Sequence, residues 1–275
     1  MTTMAFEFDP TQRYDMPVVF GPSLLPDVTV MEDLRNISVP FLTERAAIEP
    51  FLPRFFEVEG DPVVTVSSSH NGGVDWLGGR QYNVVRVQVN VRHRSSSGGH
   101  DPDHDVVGPY SLVIWESDPR PVIAGRELQG YAKIVGEIPD HERSDGRAAF
   151  ECSEYGTRLV RGEVDGLSPL DESVLASLSG EREQVALGWK YIPNPEGGAD
   201  ADYPTKLLST VAVSEAWTGQ GTISFDAPTW QQAPSSAHII EALRALPVLE
   251  YRTATVVHSR VTLPRNAVIR LEPPT

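Results

Sequence analysis

The sequence predicts a mainly β protein with a few short helices. Segments rich in β-branched and apolar residues recur along the chain, and Gly, Pro and Asp residues separate them. Residues 81–92 alternate between valines on one face and polar side chains on the other, which is the period of a strand. Only three stretches have the features of a helix. Because no repeat or linker divides the chain, residues 1–275 are predicted to form a single domain.

The first half of the chain is predicted to begin with an extended arm over residues 1–30, which wraps the surface or reaches a neighbouring subunit. Four prolines exclude a long helix there: Pro10, Pro17, Pro22 and Pro26. Residues 36–42 form a predicted strand, and Pro40 places it at a sheet edge. Thr43 then caps a predicted short helix that Pro50 ends. Further strands are predicted over residues 63–69, 81–92 and 110–115.

The polar face of residues 81–92 is open to two interpretations. It either lines a water-filled cavity or faces solvent, and the alternation alone does not distinguish them.

The second half of the chain is again predicted to consist mostly of strands. A hairpin is expected around Glu154, Tyr155 and Gly156, because this short polar turn separates two apolar segments. Asp171 caps a predicted helix over residues 170–183, and a second helix is expected over residues 237–245. The remaining predicted strands cover residues 148–152, 157–162, 185–193, 206–217, 249–263 and 267–271.

Composition excludes several classes of function. A formal net charge of -15 argues against nucleic acids and anionic membranes as partners, because both require a basic surface. The single cysteine, Cys152, permits no intrachain disulfide and disfavours a thiolate metal cluster. No apolar run reaches the roughly 18 residues of a membrane helix, and no basic-then-apolar leader is present. We therefore expect a cytoplasmic protein.

A metal site is considered in the loop of residues 94–105 and set aside. His100 and His104 lie among aspartates, but convergence of the two histidines requires helical spacing. Pro102 and the preceding glycines disfavour a helix there, so we expect no metal site.

Lys133 is the most informative single residue. It is one of three lysines in a chain whose positive charge is otherwise arginine, and it directly precedes Ile134 and Val135. Burial at the edge of this apolar run would favour the neutral amine, which is a nucleophile toward ketones. The alternative is a lysine that extends from the end of a strand to water.

Four ordered segments resemble the acetoacetate decarboxylase superfamily. The first is Gly-Arg-Glu-Leu, a small residue, Tyr and Lys over residues 125–133, with Gln129 and Gly130 before Tyr131. The others follow in register over residues 160–166, 189–194 and 214–219, and residues 263–265 are similar to the closing strand of the family. Together the segments span roughly residues 35–270, and their order makes the resemblance specific.

The resemblance implies a cone-like antiparallel β-barrel with a few short helices, assembled as a homo-oligomer. It places Lys133 at the lysine that forms a Schiff base, so the intermediate is a covalent imine and no cofactor is expected. Activation of that lysine by desolvation or by a neighbouring cation is known from acetoacetate decarboxylase itself. An iminium on a keto acid becomes an enamine by losing either CO2 or a proton.

Departures from the family pattern favour loss of a proton. Ile134 stands where decarboxylases carry a second lysine, and Ser67 and Val84 align near the two expected glutamates. The expected substrate arginine has no clear counterpart, although Arg35 lies close to its position. Gln129, with Tyr82, resembles instead a divergent branch that binds pyruvate and catalyses aldol condensation with dehydration.

We therefore predict a lyase of the aldolase-dehydratase type that acts on a small keto acid and an aldehyde. Lys133 is the predicted nucleophile, and Glu127 and Glu215 are the candidate proton-transfer groups. Carboxylate binding is assigned to Gln129, Tyr82 and Arg126, and the pocket walls to Trp217 and Tyr251. On a regular strand Lys133 shares a face with Gln129 and Glu127, which places Arg126 behind the wall.

Two alternatives remain open. One is decarboxylation of a β-keto acid by relocated carboxylates. The other is a non-catalytic binding protein of the same fold, which explains the missing glutamates most simply.

Overall fold

A computed structural model describes residues 7–94, 105–264 and 267–272. The described residues are mainly β, which confirms the predicted fold class. The strands are β1 Val28–Leu42, β2 Phe56–Val58, β3 Val63–Val74, β4 Arg80–His93, β5 Val106–Glu116, β6 Lys133–Val135, β7 Glu142–Ser144, β8 Arg147–Glu154, β9 Thr157–Pro169, β10 Glu181–Pro193, β11 Ala199–Phe225, β12 Glu250–Tyr251, β13 Thr253–Pro264 and β14 Val268–Arg270.

The helices are short. They are α1 Arg45–Ile48, α2 Pro119–Ala124, α3 Glu172–Leu178 and α4 Ala237–Arg244, with a π-helical turn Gly125–Gln129 and 3-10 turns Val18–Phe20, Glu49–Phe51 and Asp75–Leu77. Within the described ranges, no helix is long and apolar enough to cross a membrane.

The sheet curves round until seven of its strands form a ring. Their order is β10-β5-β4-β3-β1-β13-β11, and β11 pairs again with β10. Strand β11 makes this closure possible because it is 27 residues long, so its first half pairs with β10 and its second half with β13. Strands β9, β8 and β7 continue the sheet beyond the second half of β11.

Alternation along each strand separates the inside of the ring from the main hydrophobic core. On β1, Asn36 and Ser38 face a central cavity, whereas Ile37, Val39 and Phe41 are buried in the core on the outer face. Strands β8 and β9 and helix α4 cover this outer face with further buried apolar side chains. The core therefore supports the ring from outside and leaves its interior open.

Pro40 does not mark a sheet edge, contrary to the prediction, because β1 pairs with β3 on one side and with β12 and β13 on the other. The amide and carbonyl of one residue in an antiparallel strand point to the same neighbour. The Pro40 carbonyl accepts a hydrogen bond from the Arg252 amide at 2.9 Å, in the break between β12 and β13. The missing N–H of Pro40 thus falls where the ladder is already interrupted.

Other predictions also need correction. Asp171 is the N-cap of α3 but makes no side-chain cap bond, and this helix covers Glu172–Leu178, which is shorter than predicted. Thr43 does not cap α1, since residue 44 is its N-cap and no side-chain cap bond forms. The segment before Lys133, treated above as a regular strand, is helical over residues 119–129 and becomes β only at Lys133.

Candidate active site

A short helical segment carries the chain to Lys133. The Asp118 side chain caps α2 by accepting a hydrogen bond from the Arg120 amide at 2.8 Å, and Pro119 occupies the first turn. The segment then widens into the π-helical turn, which Gly130 ends at a φ of +78° in the left-handed region. π-Helical turns are frequent at functional sites because they redirect a helix within one turn.

Gly125 leaves room for the lysine side chain. A Cβ atom added at residue 125 would lie 2.3 Å from Cδ of Lys133. The far side of the turn is fixed to the ring, since the Trp189 amide donates to the Gly130 carbonyl at 2.8 Å and Thr205 Oγ1 donates to the Gln129 carbonyl at 2.6 Å. The turn therefore holds the lysine against the inner wall.

Lys133 forms a buried ion pair with Glu116. Its Nζ lies 2.8 Å from Glu116 Oε1, and the two side chains are only 9% and 3% exposed. The ammonium group also donates to the Pro121 carbonyl at 3.2 Å and lies 5.8 Å from the ring centroid of Tyr131. Among the described residues, Oε2 of Glu116 has no hydrogen-bond partner. This arrangement leaves a carboxylate oxygen available for a proton or a ligand beside the amine.

Arg86 adds a cation to the same inner surface. Its Nη2 makes one long contact of 3.4 Å, to Ser69 Oγ, and its buried Nε has no partner among the described residues. Arg86 and Lys133 are both paired with Ile114, from opposite sides of β5, so they lie two strands apart in one row. A guanidinium with free donors in a cavity can bind a carboxylate through two hydrogen bonds.

Two tyrosines complete the polar end of the cavity. Burial raises the pKa of Tyr82, and the negative charge of Glu116 raises it further, while Arg86 acts in the opposite direction. Burial likewise raises the pKa of Tyr131. Both phenols are therefore neutral hydrogen-bond donors at physiological pH.

These groups line a cavity of about 1100 Å³ inside the ring. Ser38, Ser67 and Asn71 contribute further polar groups to the cavity lining, and Arg13 and Leu25 of the N-terminal arm line the cavity as well.

Three of the predicted site residues, Lys133, Gln129 and Tyr82, line this cavity. Arg126 is exposed, and its Nη1 donates to the Lys133 carbonyl at 2.9 Å from behind the wall. Arg126 is thus placed to fix the backbone of Lys133 and does not reach the cavity as a carboxylate ligand.

The other predicted residues do not converge on the lysine. Glu127 lies on the exposed side of the π-helical turn, because the face expected from strand alternation does not apply to a helix. Glu215 is 57% exposed and pairs with His258 Nδ1 at 2.7 Å on the outer face of the sheet. Trp217 packs on His258 and on Arg143 there. These positions remove both glutamates from the candidate proton-transfer set.

Tyr251 is also outside the cavity. Its hydroxyl accepts from the Ile223 amide and donates to the Ile223 carbonyl, and its ring packs on Phe41 in the outer core. It supports the fold, whereas the prediction placed it in the pocket wall.

Sequence reasoning missed Glu116, Arg86 and Tyr131. The alternation of residues 81–92 could have indicated Arg86, because the polar face of this strand lines the cavity at Arg86 and Gln88. Glu116 carried no comparable pattern, because a glutamate at the end of a predicted strand is more often solvated. Its role depends on the parallel pairing of β5 with β6, which sequence spacing does not reveal.

A metal centre is not indicated by the described part of the chain, where no group of three or more His, Cys, Asp or Glu side chains has suitable geometry. His100 and His104 lie outside the described residues.

The described residues thus form a ring of β-strands that encloses a buried lysine–carboxylate pair. The sequence profile of the Acetoacetate decarboxylase (ADC) family matches residues 15–270. The chain belongs to this family, which confirms the resemblance found in the sequence.

Two relatives are similar along most of their length. Decarboxylase DEC1 of Cochliobolus heterostrophus is 24% identical over 229 residues, covering 81% of this chain and 80% of the relative. The acetoacetate decarboxylase of Chromobacterium violaceum is 24% identical over 260 residues, covering 94% of each.

Solved structures share the fold. One acetoacetate decarboxylase superposes with a TM-score of 0.72 at 17% identity, covering 95% of this chain and 96% of the other. The enzyme of Legionella pneumophila gives 0.70 at 19% identity, covering 98% of each chain. The enduracididine biosynthesis enzyme MppR in complex with pyruvate gives 0.65 at 17% identity, with coverages of 94% and 97%. MppR has also been crystallised with the condensation product of pyruvate and imidazole 4-carboxaldehyde.

Proposed function

We propose that this protein is a lysine Schiff-base lyase that acts on a small keto acid. The observation that carries the proposal is the buried Lys133–Glu116 pair, 2.8 Å apart at the polar end of the cavity. Membership of the acetoacetate decarboxylase family supports it.

Glu116 gives the lysine a route to its nucleophilic form. A proton passes from Nζ of Lys133 to the carboxylate, and the neutral amine then attacks the ketone carbon of the substrate. The carbinolamine loses water, and the proton that this step needs returns from the Glu116 carboxyl group. The product is an iminium in place of the original ammonium ion.

Aldol condensation with dehydration is the reaction we favour. The iminium of pyruvate loses a methyl proton to Glu116, and the resulting enamine forms a carbon–carbon bond with an aldehyde. Loss of water from this adduct and hydrolysis of the imine release an unsaturated keto acid. Arg86 favours this route, because an ion pair stabilises a substrate carboxylate and therefore opposes its loss as neutral CO2. The complexes of MppR with pyruvate and with a condensation product support the same chemistry.

Decarboxylation of a β-keto acid is the second candidate. Both relatives described above are decarboxylases. Two glutamates that the family pattern places near residues 67 and 84 are replaced here by Ser67 and Val84. Glu116 provides a buried carboxylate near the lysine in their place. In this route the iminium group accepts the electron pair of the breaking C–C bond, CO2 leaves, and the carbon of the resulting enamine is then protonated.

Borohydride trapping distinguishes these reactions. Reduction in the presence of pyruvate is expected to leave a stable adduct on Lys133, which mass spectrometry of peptides locates. Lys133→Met should show no adduct, while Lys206→Met serves as the control because Lys206 lies outside the cavity lining. Glu116→Gln should slow adduct formation by about a hundredfold or more, the usual scale of acid–base catalysis.

The outcome for each candidate is distinct. CO2 release from acetoacetate without condensation of pyruvate and an aldehyde would favour the decarboxylase. If neither keto acid labels Lys133, the chain is a non-catalytic member of the family and the proposal is wrong.

A further inference from the structure

We infer that the aldehyde partner of the condensation carries hydroxyl groups, and that a polar patch beside Arg86 binds them. The polar patch is defined as Ser67, Gln88 and Ser111. This inference rests on the proposed function, because it assigns the keto acid to Lys133 and Arg86. It adds the chemical class of the second substrate, which the lysine pair alone does not determine.

The polar patch lies around Arg86 on the inner wall of the ring. Ser67 on β3 is paired with Arg86 on β4, and Gln88 lies two residues along the same face of β4. Gln88 is in turn paired with Ser111 on β5. All three side chains line the cavity, and Lys133 lies two strands from Arg86 in the same cross-strand row. The polar patch is therefore adjacent to the position assigned to the keto acid.

The side chains of the polar patch are available to a ligand. Ser67 and Ser111 are only 3% and 7% exposed, and both line the cavity. Neither hydroxyl, nor the amide group of Gln88, has a hydrogen-bond partner among the described residues. Buried polar groups in proteins are nearly always hydrogen-bonded, so the partners of these three come from the contents of the cavity.

A small keto acid does not use the polar patch. Pyruvate has a carbonyl group and a carboxylate, and the proposed function assigns these to Lys133 and Arg86. The cavity of about 1100 Å³ leaves space beside it for a second substrate. The polar patch thus remains for the aldehyde.

Hydrogen bonding selects which aldehyde binds there. Water satisfies such polar groups before a ligand arrives, and an apolar aldehyde that displaces this water leaves them unpaired at a cost in affinity. A hydroxylated aldehyde replaces the lost hydrogen bonds. A site that hydrogen-bonds a substrate hydroxyl therefore rejects the analogue that lacks it.

The bound hydroxyl groups are not the ones that leave during the reaction. The enamine carbon forms a bond to the aldehyde carbon, and the aldehyde oxygen becomes the hydroxyl that departs as water. The other hydroxyl groups of the aldehyde remain in the unsaturated keto acid.

Condensation of pyruvate with glyceraldehyde and with propanal tests the inference, because the two aldehydes have the same carbon chain. The rate of formation of the unsaturated keto acid gives kcat/KM for each aldehyde, and glyceraldehyde is expected to have the lower KM. The aldehydes differ in intrinsic reactivity, so the decisive quantity is the change in their kcat/KM ratio on mutation. Gln88→Leu should lower the glyceraldehyde-to-propanal ratio by about tenfold, and Ser111→Ala by about threefold or more.

Asn90→Leu is the matched control. Asn90 lies two residues beyond Gln88 on the same strand, is exposed and does not line the cavity, so this variant should keep the wild-type ratio. Thermal unfolding of each variant checks that the fold persists. A ratio that Gln88→Leu and Ser111→Ala both leave unchanged overturns the inference, as does a lower KM for propanal than for glyceraldehyde in the wild type.

Failure of the inference is separable from failure of the proposed function. If pyruvate labels Lys133 and both aldehydes condense with a ratio that is insensitive to the polar patch, the lyase proposal stands and the inference fails. If pyruvate labels Lys133 but neither aldehyde condenses, the imine chemistry stands and the inference again fails. If no keto acid labels Lys133, the lyase proposal fails and the inference fails with it.

Discussion

At the scale of single residues, the site depends on one buried pair of opposite charges. Burying an isolated charge is costly, so each member of the Lys133–Glu116 pair is tolerable only because the other is present. The second lysine of acetoacetate decarboxylases is absent, and Ile134 follows Lys133 instead. Since only a neutral amine attacks a ketone and Glu116 is the carboxylate in contact with Nζ, the proposed reaction assigns the first proton transfer to Glu116.

Removing one partner is expected to destabilise the protein more than removing both. Lys133→Met leaves the Glu116 carboxylate buried without its counter-charge, at a cost of about 3 kcal/mol or more in the free energy of unfolding. Lys133→Met combined with Glu116→Gln should recover most of this loss, because a neutral amide replaces the unpaired charge. Urea unfolding of the two single variants and the double variant measures the coupling. Additive effects would show that the pair is not mutually dependent.

The sequence indicated residues of the cavity where a local pattern carried the information. It pointed to Lys133, which lines the cavity, because lysine is rare in this chain and the family segment surrounds it. Glu116 was not found, since its contact with Lys133 joins two strands through a parallel pairing that no short-range spacing encodes. Glu127 and Glu215 were chosen by sequence proximity to family segments, and both lie on exposed surfaces.

At the scale of elements, the decisive feature is the helical segment that precedes Lys133. Strand alternation was applied to residues 126–133, and it fails because α2 and the π-helical turn occupy most of that range. Pro119 and Pro121 suit the first turn of a helix, but prolines suit a β-turn equally well. Local sequence therefore did not distinguish a helix from a turn. In the folded chain the helical form is held by hydrogen bonds from β10 and β11 to the end of the π-helical turn.

Gly125→Ala tests whether this turn positions the lysine. The added Cβ would lie 2.3 Å from Cδ of Lys133, so the side chain must move and borohydride trapping should fall by about tenfold or more. Gly166→Ala is the control, because a Cβ there meets open space, although its φ of +65° costs some stability. The two variants are compared by their borohydride trapping rates, measured at the same fraction of folded protein. Equal trapping rates in the two variants would show that Gly125 does not position Lys133.

At the scale of the whole molecule, the curved sheet separates two polar surfaces. The inner surface holds the cavity, and the outer surface carries a cluster in which His141, His70 and His258 lie near Arg35 and Asp140. The fold class and the outer core could be predicted, because strand alternation is a local property. Ring closure was implied only by the family resemblance and not by any local pattern, since it depends on the pairing of one long strand, β11, with two partners.

The outer cluster is expected to make stability depend on pH. Burial, and next the charge of His70, lower the pKa of His141 from the ordinary 6.5 to about 4, although Asp140 opposes this. The unfolded chain then binds a proton that the folded chain does not, so stability is full above about pH 6.5 and is lost as pH falls toward about 4. At about 1.4 kcal/mol for each tenfold change in proton affinity, the loss is roughly 3 kcal/mol.

The measurement is urea unfolding of the wild type and of His141→Gln across this pH range. The variant keeps a polar group near Ser68, the hydrogen-bond partner of His141 at 2.9 Å, and should lose the additional acid sensitivity. His238→Gln is the control on exposed surface and should follow the wild-type curve. Parallel curves for wild type and His141→Gln would contradict the assignment.

We expect the protein to self-associate through its N-terminal arm. It exposes large apolar side chains, including Met16, Phe20 and Leu24 at 80%, 86% and 94%, and clusters of such residues are typical of interaction sites. We expect a homo-oligomer by light scattering, and expect Phe20→Ser combined with Leu24→Ser to shift it toward smaller species by weakening apolar burial between copies. Leu24 and Phe20 are chosen because Arg13 and Leu25 line the cavity, so the substitutions spare its wall. A monomeric wild type at all concentrations contradicts the prediction, as does a double variant whose oligomer is unchanged.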